Sequence, residues 1–166
     1  MTKKEYLRYK DSPLSNLHLD EALKESNKQK FDDALLKPNT DIEKVFENRG
    51  HSIIFHRWEG QQIGHWYCVL RDENKNIFFL DSLGKPPEYY SKNWIPFFKH
   101  NGIKNVIVNK KAFQAYDSSV CGRYGILFSS VRKLNKNISA QDIYKMMEAG
   151  KKKHSSYDNF VLYMTT

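Results

Sequence analysis

The chain has few cysteines and no long apolar run, and each of these absences argues against one class of protein. Cys68 and Cys121 are its only cysteines, too few for a disulfide scaffold, so we expect two free thiols in a reducing compartment. No apolar run approaches the roughly 20 residues needed to span a bilayer. Residues 1–13, MTKKEYLRYKDSP, lack the apolar centre of a signal peptide. We therefore expect a protein without a membrane segment.

Acidic residues are missing from one long stretch of the chain. Residues 89–116 contain five lysines and no aspartate or glutamate, and the whole chain has a formal net charge of +8. A field of this sign favours contact with polyanions such as nucleic acid. The alternative is a solvated basic face that only improves solubility.

The order of the predicted elements indicates an α+β protein. We expect one domain over residues 1–166, long enough for a sizeable core. Helices are predicted over 12–30, 41–50, 118–134 and 139–153, strands over 51–57, 65–71, 76–82 and 105–109, and a helix or ordered loop over 86–102. The helix from 139 opens with a capping-box pattern, Ser139 to Asp142. The last ten residues are apolar enough to pack as a strand or a helix.

Two of these strands predict a histidine–aspartate pair. The runs HWYCVLR and NIFFLDS flank the polar turn DENKN. If they form an antiparallel hairpin centred on Glu73, Val69 faces Ile77 and His65 faces Asp81 on the same face of the sheet. Directly opposed residues have Cβ atoms about 5 Å apart, so a carboxylate can orient an imidazole there. A buried aspartate at the end of such a strand also requires a partner.

Cys121 lies near the N-terminus of the predicted apolar helix, where a thiol is most useful as a nucleophile. Backbone N–H groups and the helix dipole favour the thiolate at that position, and a histidine nearby stabilises it further. Gly122 lets a substrate backbone approach the sulfur. Gln114 offers a side-chain amide that can donate to a developing oxyanion together with the Cys121 N–H group.

Each of these residues also has a structural interpretation. His65 is compatible with an ordinary strand histidine, Asp81 with a cap for the turn DSLGKPP, and Cys121 with a small core residue. Together they favour a Cys–His–Asp site. The other histidines have no comparable setting, and two cysteines with scattered histidines do not predict a zinc site. Those histidines are His18, His51, His56, His100 and His154.

The order His65, Asp81, Gln114, Cys121 resembles that of the adenain and ubiquitin-like-protease superfamily of cysteine peptidases. The matching pieces are GHWYCVL, FFLDSLGKPP and QAYDSSVCGRYGILF. The spacing from glutamine to cysteine looks closer to the adenovirus-type maturation proteases than to the cellular SUMO proteases. The segment SPLSNLHLDEAL resembles the start of small viral, virophage or Polinton-type proteases. The resemblance covers roughly residues 12–132.

The resemblance implies a papain-like fold in reverse order. In that fold a mixed central sheet is flanked by helices, and the nucleophile lies at the N-terminus of a central helix. The implied roles are Cys121 as nucleophile, His65 as general base and acid, Asp81 as the residue that orients His65, Gln114 in the oxyanion hole, and Trp66 with Gly122 beside the substrate. Arg123 departs from the usual glycine-rich surroundings of the cysteine, and we expect it in a surface ion pair.

The resemblance also implies an activity and partners. Such enzymes cut polypeptides after glycine in small-residue motifs and process capsid and core precursors. We therefore expect a monomeric endopeptidase of the virion and of the host cytoplasm or virus factory, without metal or cofactor. The adenovirus member is activated by DNA and a viral peptide. The basic stretch 89–116, with Tyr89, Tyr90, Trp94, Phe97 and Phe98, is compatible with a DNA-assisted enzyme.

Three other functions use the same features. A peptidase that removes ubiquitin or SUMO from conjugates would use the same four residues on a Gly-Gly tail. An acyltransferase would need an acyl-CoA pocket, for which 166 residues leave little room. A non-catalytic basic domain that binds nucleic acid would keep every activity after Cys121→Ala.

Overall fold

A computed structural model describes residues 28–31, 36–57, 64–115 and 120–165 and shows an α+β fold. The strands are β1 (Lys28–Phe31), β2 (His51–His56), β3 (His65–Arg71), β4 (Asn76–Leu80) and β5 (Asn105–Val108). The helices are α1 (Glu43–Phe46), α2 (Pro87–Tyr90), α3 (Trp94–His100), α4 (Cys121–Leu134), α5 (Ala140–His154) and α6 (Tyr157–Met164).

The five strands form one mixed sheet in the order β1-β2-β3-β4-β5. The central strands β2, β3 and β4 pair antiparallel, while β1 and β5 add in parallel at the two edges. Residues of β3 are buried on both faces, which explains why its sequence is apolar almost throughout rather than alternating.

Each face of the sheet is covered by its own helices. Successive residues of β3 point to opposite faces, so Tyr67 and Val69 pack with α1, α2 and α3, while Cys68 and Leu70 pack with α4, α5 and α6. The prediction that α4 is central is confirmed, since every residue from 122 to 129 is buried. The helix therefore forms a rigid support for the residue at its start.

The β3–β4 hairpin differs from the predicted register by two residues. Cys68 faces Leu80, so the turn is centred on Asn74 rather than on Glu73. The cause lies in the turn itself. The Asp72 carboxylate accepts the N–H of Asn74 at 2.8 Å, and Lys75 takes a left-handed conformation with φ 62°. A three-residue loop of this kind moves the register but keeps the same residues on each face.

Most of the other predicted elements are confirmed. The capping box of α5 is present, with Ser139 and Asp142 bonding each other's backbone N–H groups. The ordered segment contains α2 and α3 and ends at Gly102, whose φ of 70° suits glycine. The C-terminal segment is helical, as α6.

The helix predicted over 12–30 is wrong at its end, because Lys28–Phe31 forms β1. Its earlier part lies outside the described residues. Sequence analysis missed this strand because its sequence, KQKF, is mostly polar. The strand lies at the edge of the sheet, where apolar and polar residues alternate only weakly. In the described part of the chain, no helix is both long and apolar enough to cross a bilayer.

Candidate active site

The candidate site is built around a fully buried carboxylate directly after β4. Asp81 has no exposed surface, and three donors surround it. His65 Nε2 lies 2.5 Å from Asp81 Oδ1, while the Tyr90 hydroxyl and the Lys85 backbone N–H donate to Oδ2 at 2.6 and 2.9 Å. Asp81 thus caps the turn that follows it and pairs with the histidine at the same time.

The shifted register places His65 and Asp81 diagonally rather than directly opposite each other. A shift of two residues preserves the face on which a side chain lies, so the two groups still meet. Diagonal neighbours lie about 7–8 Å apart at the backbone, a separation that an imidazole and a carboxylate can span. The prediction of a histidine–aspartate pair is therefore confirmed although the predicted register is wrong.

His65 connects the carboxylate to Cys121. The Cys121 thiol lies close enough to the imidazole to raise the pKa of His65. Because Nε2 is engaged by Asp81, Nδ1 is the ring nitrogen that remains to meet the sulfur. The Tyr90 ring stacks on His65 with ring centres 5.5 Å apart and planes within 10°, which fixes the orientation of the imidazole.

The contacts of His65 favour its protonated form. Burial by itself lowers the pKa of this imidazole, but the hydrogen bonds and the negative charges of Asp81 and Cys121 outweigh that effect and raise the pKa to about 9. An imidazolium beside a thiol stabilises the thiolate by charge pairing. His65 can therefore carry a proton at neutral pH.

Cys121 is the first residue of α4 and is half-buried. No described side chain caps this helix start, where Val120 is the N-cap residue. The first N–H groups of a helix have no partners within the helix, so they point toward the end at which the sulfur lies. Cys121 packs against a small cluster formed by Ile53 and Trp66 of the sheet and Ile126 of α4.

Gln114 is joined to the same region through Ser82, which directly follows Asp81. The Ser82 hydroxyl donates to Gln114 Oε1 at 2.7 Å, and the Gln114 backbone N–H donates to the Ser82 carbonyl at 2.9 Å. Since the amide oxygen faces Ser82, the amide nitrogen is the end of the group that points away from it. Gln114 is buried, with 7% of its surface exposed.

Trp66 and Gly122 are both close to Cys121 but offer little surface to a substrate. Trp66 is 4% exposed, and its ring lies 4.9 Å from that of Phe55. Gly122 is buried in the first turn of α4. Trp66 therefore acts on the site by packing beneath Cys121.

The expected surface position of Arg123 is wrong, and most of the aromatic residues named in 89–116 are buried. Arg123 is 1% exposed rather than part of a surface ion pair, because α4 is enclosed on all sides at that point. Of the five aromatic residues of 89–116 named above, four are core residues and Tyr89 is well exposed. Those four rings fill the space under the sheet and offer no platform for stacking nucleic-acid bases. The buried four are Tyr90, Trp94, Phe97 and Phe98. The five lysines of this stretch are exposed.

Sequence reasoning missed Asn109, which holds the backbone of Asp81 in two places. Asn109 Oδ1 accepts the Asp81 N–H at 2.9 Å, and its amide group donates to the Asp81 carbonyl at 2.6 Å. A signal was available. Asn109 follows β5 as Asp81 follows β4, and the carboxyl ends of parallel strands meet at one edge of a sheet.

Tyr90 and His56 were also missed, and the sequence contains no clear signal for either. Tyr90 lies in an ordinary-looking PPEYY segment. His56 ends β2, is paired in register with His65 and is 1% exposed. Its ring lies 5.8 Å from that of Tyr90, so a second histidine borders the site.

The described residues bring His65 into contact with Asp81, place Cys121 close to the imidazole, and tie Gln114 to the same strand end. Within the described ranges, no group of three or more histidine, cysteine, aspartate or glutamate residues is placed to hold a metal ion. Neither a scan against protein-family models nor a search of curated proteins returned a match to this chain.

Proposed function

We propose that this protein is a cysteine endopeptidase, with Cys121 as nucleophile, His65 as general base and acid, and Asp81 as the residue that orients His65. The observation that supports this most is the position of one imidazole, which contacts a buried carboxylate and lies close to a thiol at a helix start. A histidine that serves only the core needs neither the second contact nor a half-exposed thiol.

The proposed reaction is acyl transfer in two steps. The Cys121 thiolate attacks a peptide carbonyl, and the oxyanion lies between the Cys121 backbone N–H and the Gln114 amide nitrogen. The His65 imidazolium then gives its proton to the leaving amine as the C–N bond breaks. In the second step His65 removes a proton from water, the resulting hydroxide attacks the thioester, and the thiolate is released with the carboxylic acid product.

The architecture is compatible with a papain-like arrangement in reverse order. The nucleophile starts the buried helix α4 on one face of the sheet, while His65 and Asp81 come from strands β3 and β4. The two groups therefore meet at the end of the sheet. The order of these elements along the chain matches the order that the resemblance implies.

The proposed substrates are capsid or core precursors of a virus, cut after glycine. This part of the proposal depends on the motifs GHWYCVL, FFLDSLGKPP and QAYDSSVCGRYGILF and on the resemblance they carry. Activation by DNA or a peptide belongs to the same proposal. Contact with DNA would have to use the exposed lysines of 89–116 by charge, since the aromatic residues there are mostly buried.

A peptide library tests the activity and the cleavage preference together. We would incubate the full chain with a mixture of peptides of random sequence, with and without DNA, and identify new termini by mass spectrometry. Cleavage after glycine that is lost in Cys121→Ala and kept in Cys68→Ser is the expected result. A ubiquitin-like conjugate added as a second substrate identifies a deconjugating enzyme. Cuts that persist in Cys121→Ala would overturn the proposal.

A further inference from the structure

A basic cavity lies at the opposite end of the sheet from Cys121. It has a volume of about 920 Å³ and is bounded by the start of β2, the β3–β4 turn and the last turn of α4. Arg132 follows Cys121 by eleven positions on α4, a separation of about 16 Å at 1.5 Å per residue. The cavity is therefore separate from the candidate active site.

The charge of this cavity is strongly positive. Five basic residues line it and only two acidic ones. The Asp72 carboxylate is already engaged by the hairpin turn, where it accepts N–H groups of Asn74 and Asn76. The five basic residues are Arg49, Arg71, Arg132, Lys133 and Lys136. Of these, Arg71 is paired with Glu43.

Arg132 is the residue in the cavity that most needs a further partner. It is 4% exposed, and its Nη1 donates to the Lys136 carbonyl at 2.6 Å. Its Nε and Nη2 atoms are buried and have no hydrogen-bond partner among the described residues. The guanidinium lies over the Phe78 ring, 5.5 Å from its centre. Buried donors of a charged group are costly when they have no acceptor.

The positive charges around the cavity also lower the pKa of His51. This residue begins β2, lines the cavity and is 4% exposed. Burial lowers its pKa most, and the charges of Lys133, Arg49 and Arg132 lower it further, to about 4. The ring is therefore neutral at physiological pH and adds no positive charge to the cavity.

We infer that this cavity binds a small molecule that carries phosphate groups, with the Nε and Nη2 atoms of Arg132 as a two-pronged donor. The guanidinium edge matches two oxygens of a phosphate, and Lys133 and Arg49 add charge at the rim. The volume falls within the range of small-molecule sites, about 300–1,000 Å³, and leaves room for more than one phosphate group. This inference does not depend on the proposed peptidase activity.

Calorimetric titration of the full chain with pyrophosphate tests the site, in a buffer free of phosphate and sulfate and at constant ionic strength. We expect saturable binding by the unmodified protein. Arg132→Met, which keeps the buried stem and removes the donors, should weaken binding by about tenfold or more. Lys99→Gln is the matched control, because Lys99 is exposed on α3 and lies outside the cavity, and it should bind as the unmodified protein does.

A second variant keeps the test valid if Arg132→Met does not fold. The double substitution Arg49→Gln with Lys133→Gln changes two exposed residues and should weaken binding by several-fold. Three results would overturn the inference: no saturable binding of pyrophosphate, equal loss in Lys99→Gln, or binding of a short DNA duplex but not of pyrophosphate. The last would indicate a nucleic-acid surface instead of a small-molecule site.

Discussion

The two thiols of this chain lie in contrasting environments, although both are associated with helix α4. Cys68 is in the middle of β3, fully buried, with its sulfur 3.6 Å from the Ser129 hydroxyl of α4. Burial raises the pKa of Cys68 to about 12. Cys121 begins α4, is half-buried and has the imidazole of His65 beside it. One helix thus covers Cys68 along its side and begins with Cys121, which has a histidine beside it.

This difference shows what a cysteine needs in order to react. The sulfur itself is the same, and both residues are packed among apolar side chains. A helix N-terminus and an adjacent imidazolium favour the thiolate, whereas an apolar interior penalises any charge. The reactivity of a cysteine therefore depends on the two or three groups around its sulfur, and each of these groups can be substituted separately.

The largest expected effect is the loss of the nucleophile. Cys121→Ala should lower kcat/KM for the best peptide substrate by at least about 10⁴-fold, since no other group can form the thioester. Cys68→Ala in the same assay should retain activity, because Cys68 points to the sheet face opposite His65. Equal losses in the two variants, with both proteins folded by circular dichroism, would contradict the assignment of the nucleophile.

The next largest effect is expected for His65, whose influence on the Cys121 thiol can be measured without a substrate. A small electrophile at pH 6 should label Cys121 at least about tenfold faster than Cys68, as read by peptide mass spectrometry. His65→Ala should remove that preference and lower kcat/KM by about 10³-fold. His100→Ala, at the exposed end of α3, is the matched control. Fast labelling of Cys121 that survives in His65→Ala would mean that the helix start alone activates the thiol.

A substitution of Asp81 should have a smaller effect on kcat/KM and should also change the dependence of kcat/KM on pH. The pKa of His65 is raised to about 9, so the imidazolium should persist through neutral pH and kcat/KM should fall as pH rises through 9. Because the folded-state pKa exceeds the ordinary value of 6.5, the stability this proton adds is complete below about pH 6.5 and is lost toward pH 9.

Asp81→Asn removes a charge and an acceptor that raise the pKa of His65, so the decline in activity should move to lower pH. At pH 7 we expect a loss of about 100-fold, less than for Cys121→Ala, since Asp81 orients His65 and does not react. The pH–rate profile of the variant beside that of the unmodified protein gives both numbers. An unchanged alkaline limb would show that Asp81 does not control the protonation of His65.

Sequence reasoning could place His65, Asp81 and Cys121 near one another because their signals are local or periodic. The pairing of His65 with Asp81 followed from alternation in two strands, and the setting of Cys121 followed from an apolar run behind it. The two-residue error in register did no harm because alternation has a period of two. A one-residue error would have placed the pair on opposite faces.

The residues that sequence reasoning missed act through tertiary contacts. Asn109 and Tyr90 reach Asp81 only because β5 lies beside β4 and α2 folds over the sheet. The burial of Arg123 and Arg132 could not be predicted from a residue type that is usually exposed. Strand β1 was missed for the opposite reason, because a polar edge strand has almost no pattern of its own.

The smallest effect is expected for Cys68→Ser, which tests whether the buried thiol is independent of Cys121. The serine hydroxyl would lie where the sulfur now meets Ser129, so a hydrogen bond offsets part of the cost of burying a polar group. We expect kcat/KM to stay within about twofold and the free energy of unfolding to fall by about 1–2 kcal/mol. Labelling of Cys121 should be unchanged. If Cys68→Ser instead slowed that labelling tenfold, the packing of α4 on β3 would be setting the position of Cys121, and the two thiols would not be independent.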